Sequence, residues 1–404
     1  MASVRPFLAW LPPADRVAEI ASVPYDVVST EEARALAEGK PASFLHVIRP
    51  EIDLPEGTDL YSDAVYAQAK DNLERWIAEV PFSRTEQPAL FVYRLIREGR
   101  SQTGVVAGCS VDEYDAGTIA IHERTRPAKE DDRTRHVVTM RCQAEPIFLA
   151  YRAEPAIDGL VADIVDTEPL FDFVAPDGVQ HTLWGVEDPD ALAAAFEAVP
   201  TLYVADGHHR TKSASRARET LRAANPEHTG EEAYNAVLSV VFPDDQLEIL
   251  AYNRVITDLG DRSPAEVVAA LGAELGLTAG AAPIPTARHD FAMYADGTWY
   301  GFTLAPQGEG IIAELDVSLL QDQVLAPHFG IEDPRRDPRI AFVGGIRGTK
   351  ELERRADACG GVAFSLYPTA MSELFAVADS GAIMPPKSTW FEPKLRSGLF
   401  LHRI

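Results

Sequence analysis

Cysteine is scarce: Cys109, Cys142 and Cys359 are the only three in 404 residues, an odd number with no paired spacing. Neither a disulfide framework nor a four-thiolate zinc site follows from them, and they read as small buried hydrophobes. Long apolar runs are missing too. Nowhere do about 18 uncharged apolar residues run together, and MASVRPFLAWLPPADR holds no apolar stretch of secretory length, so the expectation is a cytoplasmic protein without a membrane partner. Basic charge is in deficit, with 37 Lys and Arg against 62 Asp and Glu, a formal charge of -25. That field repels nucleic-acid backbones and anionic lipid, so nonspecific nucleic-acid binding is disfavoured. Any anionic ligand must be held by a local cluster of Arg, Lys and His. Low-complexity tracts and fixed-period repeats are also lacking, which with 46% hydrophobic and 25% charged residues excludes a disordered chain.

What is present is enough chain for two or three domains. Residues 1–115 alternate strand and helix patterns: Ser29 and Glu32 stand at capping-box spacing, Gly39 can end that helix, and DAVYAQAKDNLERWIAEV has helical apolar spacing. ALFVYRLIREGRSQTGVVAGCSV reads as a hairpin. In 116–258, EPIFLAYR reads as a strand, IDGLVADIVDTE as a helix, FDFVAPDGVQHTLWGV as a hairpin turning at Asp177-Gly178, and TLYVADGHHRTKSASRARETLRAA as strand, tight loop and helix. From 259 a second capping-box spacing, Ser263 to Glu266, opens an α+β unit with a hairpin in FAMYADGTWYGFTL and a basic, aromatic tail. The expected fold class is mixed α/β, with domains at 1–115, 116–258 and 259–404.

The strand–loop–helix unit carries the densest chemistry. Leu202 to Ala205 suits a buried strand, Gly207 permits the turn, and the loop Asp206-Gly207-His208-His209-Arg210 sits at a helix N-terminus. Unpaired amides and the helix dipole there favour an anion, and His208, His209, Arg210 and Lys212 add donors suited to phosphate. Asp206 could hold Mg²⁺ or orient a histidine; capping the helix is its bland role. Upstream, His122 and Glu123 follow an apolar run, and Arg126, Lys129, Glu130, Arg133, Arg135 and His136 follow in turn. On one helix the last group could offer forks to phosphates or pair among themselves, since Asp131–Arg135 and Asp132–His136 are i,i+4 pairs. In the tail, Lys387, Ser388, Thr389, Lys394, Arg396 and Ser397 with Trp390 and Phe391 could bind phosphate and stack on a base, or anchor the tail without any ligand. Tyr25 with Asp26, and His46 with Arg49 and Glu51, interrupt apolar runs and could line a pocket. VGGIRGTKE lacks the spacing of a Walker A loop.

Strand–DGHHR–helix resembles the signature of the ParB/sulfiredoxin-like superfamily and, within it, is most similar to the free serine kinases, over the middle domain. Nearly the whole chain is similar to a larger prokaryotic family of unknown function that bears the motif. The resemblance implies a ParB-like nucleotide domain at 116–258, ATP or ADP as phosphoryl donor with Mg²⁺, L-serine as acceptor, and Glu123 of the His-Glu loop as general base. It also implies that Asp206 and His209 serve catalysis and that His122, Gly207, His208 and Arg210 bind phosphate. His208 stands where sulfiredoxin needs a cysteine, which argues against reductase chemistry, and the adjacent His208-His209 do not match zincin spacing. Two other readings use the same cradle: a ParB-like nucleotide-binding or nucleotide-hydrolysing switch, and a hydrolase of a phosphorylated metabolite. Oligomeric state leaves no mark in the sequence.

Overall fold

The computed structural model describes residues 2–404 and has a mixed α/β fold. The chain forms two compact units, Met1–Leu247 with Pro393–Ile404, and Glu248–Glu392. A boundary near 115 does not divide the structure, because strands on both sides of it share one sheet.

That sheet contains β1 (Val4–Arg5), β2 (Phe91–Arg97), β3 (Arg100–Ser110), β4 (Ile119–Ala120), β5 (Ile147–Tyr151), β6 (Phe171–Val174), β7 (Gln180–Gly185), β8 (Leu202–Asp206) and β9 (Ala236–Pro243). Its order is β4-β8-β5-β9-β3-β2-β7-β6, with β1 paired to β3. Most neighbours are antiparallel; β8 runs parallel to β4, and β9 parallel to β5. The β2–β3 hairpin turns at Glu98-Gly99 and the β6–β7 hairpin around Gly178, where positive φ is needed. Strands β5 and β9 are buried throughout apart from Ala236, which explains their continuous apolar sequence. Their core includes Val105, Leu149, Leu202, Val204 and Val241, with Ile157 from a helix packed on it.

The helices of this unit include α1 (Thr30–Ala37), α2 (Asp63–Glu79), α3 (Pro127–Met140), α4 (Pro155–Val165) and α5 (His208–Ala223). The Ser29/Glu32 capping box forms as the spacing predicts. A second core gathers Ala33, Phe44, Leu73, Trp76 and Met140 around α1 to α3. The last residues return to this unit: Leu401–Arg403 pairs with Ala9–Leu11 on one side and with Cys142–Gln143 on the other. The tail is therefore a strand in a sheet, held by backbone bonds as well as aromatic packing.

The second unit is built on a six-stranded sheet of β10 (Tyr252–Ile256), β11 (Thr278–Ala279), β12 (Asp290–Ala295), β13 (Thr298–Thr303), β14 (Ile340–Gly344) and β15 (Val362–Leu366), in the order β11-β13-β12-β15-β10-β14. Helix α6 (Pro264–Leu275) begins with the expected capping box, Pro264 in its first turn. Helix α7 (Gly348–Cys359) packs Leu352 and Ala356 against Val255 and Trp299.

Candidate functional site

The register of β8 against β5 shifts between Val204 and Asp206, so Ala205 is an extra residue and Asp206 stands opposite Phe148. Such a bulge re-aims the side chain that follows it. Gly207 then takes φ +94, a left-handed conformation that closes the turn into α5. A Cβ at Gly207 would lie 3.2 Å from the Arg210 guanidinium, so the glycine also makes room for that side chain. The N-cap position of α5 is Gly207, which has no side chain to offer the helix's first amides.

Cations surround Asp206. Lys394 Nζ lies 3.2 Å from its Oδ2, and Arg210 Nη2 lies 3.6 Å from the same oxygen. Burial alone would raise the carboxyl, but Lys394 and Arg210 overcome it and hold Asp206 at about 2. Arg210 is anchored from behind by Nη1 donating to the Pro146 carbonyl at 2.6 Å. Its Nε is buried and has no hydrogen-bond partner among the described residues, so the fork keeps unused donor capacity.

The two histidines play different parts. His208 is buried against His122, ring centroids 4.5 Å apart and edge to face. Burial lowers it to about 4, so it is neutral near pH 7, and its buried Nε2 has no hydrogen-bond partner among the described residues. His122 is likewise lowered by burial, then by His208. His209 Nε2 accepts the Arg126 backbone N–H at 3.1 Å, which leaves the proton of the neutral ring on Nδ1. Burial lowers His209, Glu123 opposes that shift, and Asp26 and Glu130 oppose it less strongly, which places these three carboxylates in its electrostatic reach.

Behind the loop a polar network continues into the protein. Glu145, only 7% exposed, accepts the Tyr25 N–H at 3.1 Å and faces Arg133 Nη1 at 3.8 Å. Burial pushes its carboxyl up while Arg210 and Arg133 pull it down. The Arg133 guanidinium lies 4.2 Å over the Tyr25 ring. A cavity of about 30 Å³ lined by Arg133, His136, Glu145, Arg210 and Ser213 adjoins this network. It has room for on the order of one or two waters.

The structure thus brings together His122, Glu123, Arg126, Asp206, Gly207, His208, His209 and Arg210, with Lys212 half-buried one turn into α5. It turns the α3 cations to other tasks. Arg133 Nε donates to Asp132 at 2.9 Å, His136 Nε2 bonds the Val47 carbonyl at 3.0 Å, and Arg135 pairs with Asp63 and stacks on Tyr66. The expected Asp131–Arg135 pair is replaced by Asp131 to Arg216 of α5, at 2.5 Å. Lys387, Ser388 and Thr389 belong to the second unit. There Lys387 Nζ lies 5.2 Å over Tyr252, its carbonyl accepts from Arg254, and Ser388 Oγ donates to Pro385 at 2.7 Å.

Lys394 is a tail candidate in the sequence, but its pairing with Asp206 has no local signature there, and Glu145 is a contribution that the sequence reading misses. Glu145, a lone carboxylate two residues before the buried strand Ile147–Tyr151, has a readable signal. Tyr25 and Asp26, singled out by their position in an apolar run, do lie within electrostatic reach of Arg210. His46, by contrast, pairs with Asp53 at 2.7 Å, and Arg49 with Glu51 at 2.7 Å.

Fold and loop together define a mixed α/β protein with a strand–glycine–helix unit whose first turn carries two neutral histidines and an arginine. The chain belongs to the family described as a protein of unknown function, DUF1015, whose model matches residues 4–318. No curated protein matches it. Among solved structures it is similar to a free serine kinase in complex with AMP, with TM-score 0.33, 15% identity, and coverage of 71% of this chain and 86% of that one. It is also similar to SbnI with C-terminal truncation from Staphylococcus aureus, with TM-score 0.38, 14% identity, and coverage of 72% and 85%. A conserved hypothetical protein from Pyrococcus furiosus gives TM-score 0.31 and 14% identity, with coverage of 71% and 90%.

Among the described residues no helix is long and apolar enough to cross a membrane. Nor does any group of three or more His, Cys, Asp or Glu stand ready to hold a metal. Asp206 is ionised and partly exposed, which suits a Mg²⁺ that arrives on phosphates and needs only one or two protein carboxylates.

Proposed function

We propose that this protein is a nucleotide-dependent phosphotransferase that converts free L-serine to O-phospho-L-serine, with ATP or ADP as donor. One observation carries the reading: the N-terminus of α5 opens beside Arg210 and Lys394, while Glu123 stands within electrostatic reach of His209 on the same turn. Donors suited to phosphate and a carboxylate suited to the role of base thereby share one electrostatic neighbourhood, which supports the reading. The order of His-Glu loop before DGHHR loop, shared with the free serine kinases, supports serine as the acceptor.

In this reading the amides of Gly207 to Arg210 and the Arg210 fork hold the nucleotide's phosphates. His209, neutral with its proton on Nδ1, donates to a phosphate oxygen or to the acceptor. Glu123 takes the proton from the serine hydroxyl as its oxygen bonds to the terminal phosphorus; the bond to the nucleotide's bridging oxygen breaks, and the shortened nucleotide leaves. Asp206 is the residue that would hold Mg²⁺, and the ion would supply positive charge to the phosphates. Positioning and electrostatics supply most of the rate in this chemistry, which fits a cradle fixed from behind by Pro146 and Asp206.

Glu123→Gln tests the assignment. It should lower serine phosphorylation about 10²- to 10⁴-fold while nucleotide affinity, read by calorimetry, changes by less than about threefold. Unchanged turnover would remove Glu123 as base. Nucleotide consumption that ignores serine, in the wild-type protein, would replace the kinase with a switch or a hydrolase.

A further inference from the structure

A groove of about 680 Å³ lies in the first unit, lined by Arg5, Phe7, Trp10, Arg84, Glu232 and Arg403 among others, none of which belongs to the phosphate cradle. Its volume is that of a site for a drug-sized molecule. Three short strands build it. Val4–Arg5 is added to the large sheet, Ser83–Arg84 is the edge beside Ala9–Leu11, and Leu401–Arg403 lies on the other side of that strand. Each of the three strands ends on an arginine.

The charges there run against the rest of the molecule. In a chain with 62 acidic and 37 basic residues, three guanidinium groups share one groove, and neither Arg5, Arg84 nor Arg403 has an ion-pair partner among the described residues. Arg403 instead lies 5.9 Å over the Trp10 ring, which fixes one fork beside an aromatic face. Two carboxylates also line the groove, but Glu232 is occupied with its own loop: it accepts the Thr229 and Gly230 amides at 2.6 and 3.0 Å and pairs with His228 at 2.8 Å. Against burial, those bonds hold Glu232 ionised, at about 2, and the exposed Glu231 adds a second carboxylate, so three guanidinium groups face two negative charges. The floor is aromatic, with Phe7 edge-on to the buried His402 at 5.3 Å. His402 Nε2 bonds the Ala233 carbonyl at 2.9 Å, and its buried Nδ1 has no hydrogen-bond partner among the described residues.

We infer that this groove is a binding site for a small organic anion with a planar apolar body, its acid group held by Arg5, Arg84 and Arg403 and its ring system lying against Trp10 and Phe7. Guanidinium forks match carboxylate, sulfonate and phosphate geometry, and the aromatic floor rewards a flat ring system. Neutral planar molecules gain only the second contribution, and inorganic phosphate only the first. The ligand class is therefore set by both together.

The test uses two probes of one shape on the full chain. 8-Anilinonaphthalene-1-sulfonate carries the anion, and N-phenyl-1-naphthylamine is the same ring system without it. The expected result is saturable, one-to-one binding of the sulfonate, weakened about tenfold in Arg5→Gln/Arg84→Gln, with binding of the neutral probe unchanged. Both arginines are exposed, so the double variant should fold. Glu231→Lys provides a variant of opposite sign and should tighten the sulfonate about two- to fivefold. Non-saturable binding, equal affinity for the two probes, or indifference of the sulfonate to both variants would overturn the site.

Discussion

At the scale of single residues, the loop depends on one carboxylate flanked by two cations. Lys394 is 14% and Asp206 28% exposed, so their attraction is only partly screened. Lys394→Met should cost about 1 to 3 kcal/mol of stability, because it removes an ion partner from a largely buried carboxylate. Urea unfolding at pH 7 measures it, and Lys394→Arg should recover most of the loss. No local pattern announces this contact, since the two residues stand 188 positions apart in the chain. His208, His209 and Arg210 were legible because three donors abut an apolar strand; Arg133 and His136 carry the same chemistry in sequence but face Asp132 and Val47. Burial decides between those outcomes, and a helical stretch of mixed charge does not display which face it buries.

At the scale of elements, local rules predict well wherever the interaction is local. Both capping boxes form, as do the hairpins at Gly178 and within 290–303, because cap and turn chemistry is settled within four residues. The turn into α5 is more demanding. Gly207 holds φ +94 and leaves room for Arg210, so Gly207→Ala should destabilise the protein by about 1 to 2 kcal/mol and weaken nucleotide binding by displacing the guanidinium. Gly207→Asn should be milder in stability, since asparagine tolerates a left-handed backbone better. Equal losses in thermal unfolding for the two variants would show that space beside Arg210, rather than backbone strain, dominates.

For the whole molecule, topology was the least legible feature. Residues 91–110 and 236–243 pair across the expected boundary near 115, and the final twelve residues return to the first unit; pairings between distant segments carry no periodicity of their own. The same burial makes the fold sensitive to acid. His208 falls to about 4 and His136 to about 3, both through burial, so between pH 4 and about 6.5 the unfolded chain binds protons that the folded chain refuses. Stability is then fully present above about pH 6.5 and is lost as pH falls, by about 1.4 kcal/mol per pH unit for each of the two groups. Denaturant midpoints at pH 7.0, 6.0 and 5.0 should fall in that order, and His136→Asn should flatten the slope.

The central claim concerns the reaction at the α5 N-terminus, and phosphorus NMR of the purified chain with Mg²⁺, L-serine and either ATP or ADP reads it directly. A growing O-phosphoserine resonance, absent without serine and lost in Arg210→Ala, is the expected result. Nucleotide consumed at the same rate with and without serine, or phosphoserine made equally well by Arg210→Ala, would contradict it.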